Sequence, residues 1–220
     1  MVLQRVLIRL LPVEVLLLGI FALSGAVLRL ERAALPDLAA AVPAASAATP
    51  PPAAAGLAAV FTPEVRRWTS EILTWAAPYG LDPNLVATVM QIESCGWPAA
   101  VSTSGAQGLF QVMPFHFDPG EAMQDPATNA RRGLDYLALG LQRAGGDVGR
   151  ALAGYNGGHS QIGRDPALWP AQTQRYWYWG TGIYADAASG QPTSPRLEEW
   201  LASGGASLCA RAAATVTAEN

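Results

Sequence analysis

Histidine and cysteine are scarce in this chain, two of each in 220 residues. His116 and His159 have no companion ligands at metal-binding spacing, which argues against a zinc site, and the reading calls for neither a metal nor a cofactor. Charge is sparse as well: charged residues make up 14%, the formal net charge is -3, and no basic block occurs. That excludes the electrostatic footprint of a nucleic-acid-binding protein. Also missing is any useful run of alternating apolar and polar residues. Helical periodicity is left as the dominant signal, and the fold class is all-α.

What is abundant is Ala, Gly and Pro, unevenly placed. In residues 1–32, Arg5 and Arg9 precede an apolar run over 15–28, so this stretch reads as a signal-anchor or a signal peptide whose basic end stays inside. The small-residue sites Ser24-Gly25-Ala26 and Ala45-Ser46-Ala47 are respectively weak and distant, which favours an uncleaved anchor. Residues 33–59 are almost all Ala, Pro, Ser and Thr, including Pro50-Pro51-Pro52. Such a segment cannot bury enough varied apolar surface to fold and serves as a tether, reaching about 3 Å per residue. The domain is expected over 60–188, with a C-terminal helix and tail over 189–220. In an exported chain, Cys95 and Cys209 read as a disulfide tying that tail to the domain. The alternative is a Cys95 thiol nucleophile, for which His116 and His159 are the available bases.

Within the domain, Thr62-Pro63-Glu64 opens a helix whose core face is Val65, Trp68, Ile72 and Leu73, ending at Tyr79-Gly80. Asp82 is a good N-cap, and Pro83 at the first helical position has no amide hydrogen to leave unpaired. Val86, Val89 and Met90 form one stripe, and Glu93 follows them on the same face. A carboxyl there loses water and sits at the negative end of the helix dipole, so its proton is held more tightly. That suits a general acid working near neutral pH. Gly96 to Ser104 is a turn-rich connection, and 105–113 reads as a short helix stopped by Pro114. Further helices are expected over 129–144, from the Asp147 cap through Tyr155 to Gly157-Gly158, and from Ser194-Pro195 through Leu197, Trp200 and Leu201. An aromatic cluster over 169–184 lies between the last two.

Four motifs then occur in order. They are Glu93-Ser94; Ser102-x-x-Gly105-Ala106-x-Gly108-Leu109-x-Gln111-x-Met113-Pro114; Ala153-Gly154-Tyr155-Asn156-Gly157; and Thr173-x-x-Tyr176. Together they resemble the soluble lytic transglycosylases of the goose-lysozyme-like glycosidase family, which cut bacterial cell-wall glycan. Departures are Gln172 where a Glu is usual, Trp177 where a Val is usual, and Gly154 directly before Tyr155. The resemblance implies a lysozyme-like helical domain with a substrate cleft, acting outside the cytoplasm on peptidoglycan strands. It implies Glu93 as the catalytic residue, with Ser94, Ser102, Gln111, Met113, Tyr155, Asn156 and Tyr176 as substrate-binding residues. His116, two residues after Pro114, is by its position a further groove candidate. Gly105, Ala106 and Gly108 are expected to serve backbone packing. Glycosidases ordinarily use two carboxyl groups, whereas these motifs carry Glu93 alone. Two rival readings remain open: a muramidase that uses water and draws a second carboxylate from Asp118, Glu121 or Asp125, and a non-catalytic glycan-binding module.

Overall fold

The computed structural model describes residues 56–218. The expected anchor over 1–32 and most of the linker over 33–59 lie outside them. Among the described residues no helix is long and apolar enough to cross a membrane. Eight α-helices follow in order: α1 (Pro63–Arg66), α2 (Thr69–Ala76), α3 (Pro83–Glu93), α4 (Pro126–Arg143), α5 (Val148–Gly157), α6 (Ala171–Ala188), α7 (Pro195–Trp200) and α8 (Ala206–Ala218). No strand forms among them, and the only extended pairings are isolated bridges.

The central helix is α3. The Asp82 carboxylate accepts from the Asn84 amide at 2.8 Å, fixing its start. Every residue from Leu85 to Gln91 is buried, so the helix is enclosed on all sides rather than along the single expected stripe. It runs against α2 and α6, while α5 packs on both α4 and α6. Full burial of each large apolar side chain here contributes about 1.5–3 kcal/mol. Asp147 and Ser194 cap α5 and α7 through side-chain bonds to Arg150 N and Leu197 N.

Three sequence expectations are corrected. The helix expected over 62–79 is broken at Arg67–Trp68, where Trp68 leaves helical geometry and its indole donates to the Gly96 carbonyl at 2.9 Å. The helix expected from Asn129 begins at Pro126, because Asp125 caps it by accepting from Thr128 N. Residues 105–113 do not form a helix. Instead Gln107 bridges to both Val101 and Val112, with positive φ at Gly105, Gly108 and Gln111. Asn129 takes the place of helical hydrogen bonds. It accepts from Phe110 N and donates to the carbonyls of Gln107 and Met123, each at 2.8 Å. Gly108 is required for this: a Cβ there would lie 2.5 Å from Asn129 Nδ2.

Beyond α7 the tail is largely helical. A kinked stretch, Leu201–Gly205, leads into α8, and Cys209 on α8 is disulfide-bonded to Cys95.

Candidate active site

Glu93 is the last residue of α3. The chain beyond it is fixed at each step. Ser94 is fully buried, donates to the Leu109 carbonyl at 2.7 Å and accepts from Gly96 N at 3.1 Å. Cys95 adopts φ 51, and its disulfide sulfur accepts from Gln91 Nε2 at 3.1 Å. The Glu93 side chain, half-buried, lines a cavity of about 250 Å³ with Ile92, Asn156, Arg175, Tyr176, Trp179 and Trp200. Burial holds its proton well above the ordinary range, raising the pKa from 4.5 to about 8. The Tyr176 hydroxyl offsets part of that rise; it is buried and has no hydrogen-bond partner at normal length.

On the other side of Asn156 lies a second cavity of about 200 Å³, lined by Gln111, Met113, His116, Tyr136, Tyr155 and Asn156 among others. Because Asn156 borders both, the two cavities form successive parts of one groove. Tyr155 donates to the Phe110 carbonyl at 2.7 Å. Burial and the negative charge of Glu93 both push the Tyr155 and Tyr176 hydroxyls upward, which places the two phenols beside that carboxyl. Asn156 Oδ1 accepts from Thr173 at 3.1 Å, leaving its amide hydrogens directed elsewhere. Gln111 is held with φ 47, its nitrogen donating to the carbonyls of Ala100 and Gly108. Its amide oxygen takes no hydrogen bond among the described residues.

The structure thus gathers Glu93, Gln111, Met113, Tyr155, Asn156, Tyr176 and His116 along one groove. Two sequence-predicted contact residues are not brought there. Ser94 is sealed beneath the turn after Glu93, so it supports that turn and cannot touch a ligand. Ser102 accepts from Ala106 N at 2.9 Å and faces Ser104, closing its own loop and lining neither cavity.

Among the described residues, neither cavity is lined by a second carboxylate. Asp118 and Glu121 are engaged with Arg131 and Arg132, and the hydrogen bond from Arg132 holds Glu121 down at about 2. Asp125 is spent on its helix cap. The thiol alternative fails because both sulfurs are joined in the disulfide. Of the ligand-type groups clustered with them, only Glu64 remains free of that bond.

Residues 70–177 match the family model described as Transglycosylase SLT domain. That likeness to the transglycosylase SLT domain takes in just under half of the chain, including Glu93 and the four motifs up to Tyr176. Curated proteins similar to this chain include a transglycosylase of Enterobacteria phage PRD1, 40% identical over 112 residues, covering 50% of this chain and 40% of that protein. An endo-type membrane-bound lytic murein transglycosylase A of Klebsiella pneumoniae is 53% identical over 76 residues, 29% of this chain and 37% of that one. A membrane-bound lytic murein transglycosylase C of Actinobacillus pleuropneumoniae is 32% identical over 87 residues, 34% of this chain and 24% of that one. The chain therefore spans well under half the length of each. Among solved structures, an inactive mutant of lytic transglycosylase Slt from Pseudomonas aeruginosa aligns over 61% of this chain and 26% of that one. Its TM-score is 0.47 at 21% identity, a weak likeness.

Sequence reasoning missed Arg175 and Trp200 on the wall around Glu93. Trp179, from the aromatic cluster over 169–184, stands three residues after Tyr176 on the same helical face. Trp200 arrives from α7, and no local pattern announces that contact.

Proposed function

We propose that this domain is a peptidoglycan lytic transglycosylase. It cleaves the β-1,4 bond between N-acetylmuramic acid and N-acetylglucosamine without water, with Glu93 as both acid and base. One observation carries this reading: among the described residues Glu93 is the only carboxyl lining the two cavities that meet at Asn156, and burial keeps it protonated at neutral pH. A neutral carboxyl is the form that donates a proton to the glycosidic oxygen. As the bond from the anomeric carbon to that oxygen breaks, the proton moves to the leaving sugar and Glu93 becomes the base. The muramic acid 6-hydroxyl then attacks the anomeric carbon and returns its proton to Glu93, closing a 1,6-anhydro ring. The nucleophile is tethered to the substrate, so proximity replaces the water and the second carboxylate that a hydrolase needs.

In this reading Tyr155 and Tyr176 flank the reacting carboxyl and Asn156 spans the scissile position. Gln111 offers its amide oxygen to the glycan, and Met113 and His116 border the strand further along. Ser94 positions Glu93 by fixing the turn beneath it. The disulfide suits an oxidising compartment, and with the N-terminal segment expected as an anchor it supports action outside the cytoplasmic membrane.

Mass spectrometry of purified peptidoglycan after digestion tests the proposal. Products ending in 1,6-anhydro-N-acetylmuramic acid are expected, and Glu93→Gln should abolish their release while the protein still binds glycan. Reducing ends would identify a hydrolase, and unchanged turnover in the Gln variant would remove Glu93 from the chemistry.

A further inference from the structure

The Glu93 cavity does not end at α6. Arg175 and Trp179 also line a larger groove of about 620 Å³ with Trp169, Gln174, Trp177 and Tyr178. Trp177 and Tyr178 are 39% and 41% exposed, a large aromatic surface for the outer face of one helix. Each is held in place. Trp177 meets Trp169 edge to face at 6.1 Å between ring centres. The Arg196 guanidinium covers one face of Tyr178 at 3.6 Å, and the Tyr178 hydroxyl donates to Glu199.

Trp179, at the junction of cavity and groove, has a buried indole N–H with no hydrogen-bond partner. An indole nitrogen only donates, and a buried donor left unpaired is costly. The Trp169 indole, in the same cluster, instead donates to the Gln161 carbonyl at 2.9 Å. Trp179 lines the Glu93 cavity together with Tyr176, whose buried hydroxyl is also unpaired, and apolar Ile92 and Trp200 stand on the same wall. A donor set among apolar groups fits an acetamido substituent: the carbonyl oxygen takes the N–H and the methyl takes the apolar wall. A hydroxyl would leave the apolar surface uncovered.

We propose that Trp179 is a specificity-determining substrate contact that donates to the acetamido carbonyl of an amino sugar in the Glu93 cavity, and that the strand continues from there into the aromatic groove on α6. Trp177 and Tyr178 then form the stacking surface for the next saccharide, as aromatic faces do for bases and other flat or apolar faces. This rests on the glycan reading above, and the test separates the two.

Calorimetric titration of the full-length protein in the Glu93→Gln background, where no cleavage occurs, uses two probes: a hexamer of N-acetylglucosamine and its fully N-deacetylated counterpart. Trp179→Phe keeps a ring in place and deletes the donor. It is expected to weaken the acetylated hexamer about tenfold, the size of one lost hydrogen bond to a buried donor, and to leave the deacetylated hexamer unchanged. Comparing the two variants cancels the charge of the deacetylated probe. Trp177→Ala should weaken the hexamer while sparing the acetylated dimer. If the Phe variant binds both hexamers as its parent does, while the wild type still releases anhydro products from the wall, this inference fails and the catalytic reading stands. If the parent binds neither hexamer and the wild type releases nothing, both fall.

Discussion

The raised pKa of Glu93 has a thermodynamic consequence that is measurable without substrate. In the unfolded chain its carboxyl titrates near 4.5, and in the folded protein near 8. Below the lower value it is neutral in both states and contributes nothing to pH dependence. Between the two values the unfolded chain gives up its proton while the folded protein keeps it, so stability falls as pH rises. Above about 8 both states are ionised and the loss is complete. At about 1.4 kcal/mol per pKa unit the full loss approaches 5 kcal/mol. Water reaching a half-buried carboxyl screens part of it, leaving roughly 2–5 kcal/mol. Glu93→Gln has nearly the same shape and cannot ionise, so its stability lacks this contribution. Urea unfolding of both proteins at matched pH values is the assay. The Gln variant should match the wild type near pH 4.5 and exceed it by roughly 2–5 kcal/mol at pH 8. A difference that stays constant across that range would mean the carboxyl is hydrated and normal, and the acid it was read as would not exist.

Two further perturbations test the scaffold around the site. Reducing the disulfide, which closes 114 residues of sequence, is expected to cost about 4–5 kcal/mol by restoring freedom to the unfolded chain; urea midpoints with and without a phosphine reductant give the value, and coincident curves would show that the bond constrains nothing. Gly108→Ala places a methyl 2.5 Å from Asn129 Nδ2 at φ 73, and should destabilise by roughly 2–5 kcal/mol through backbone strain and loss of the Asn129 hydrogen bonds. A melting temperature within about 2 °C of the wild type would contradict the role given to Asn129.

How much of this was legible in the sequence divides along a physical line. Asp82-Pro83, Asp147 and Ser194-Pro195 marked true helix starts, because a cap is a contact between residues two or three apart. Glu93 was legible for a related reason: its place at the end of an apolar helix is local, and burial followed. The segment 105–113 was misread because Leu109, Phe110 and Met113 have helix-compatible spacing. Its backbone is instead decided by Asn129, far along the chain. The break at Arg67–Trp68 has the same origin, since Trp68 turns to reach Gly96. Trp200 escaped notice as a site residue because it becomes a neighbour of Glu93 only when α7 packs on α6, which itself lies against α3.

The parts that were hardest to read are those that hold Glu93 still. On the proposed mechanism one carboxyl gives a proton to one oxygen and takes a proton from another, so it must serve two positions without a partner to share the work. A carboxyl on a mobile helix end would do each step poorly, because a small misplacement costs much of the advantage of proximity. Here α3 is enclosed by its neighbours, Ser94 is bonded on both sides, and Cys95 is tied to α8. The left-handed backbone at Cys95 is a conformation a non-glycine residue adopts at a cost. That cost is maintained at the second residue after the acid, where the chain must turn sharply away and leave the carboxyl alone facing the groove.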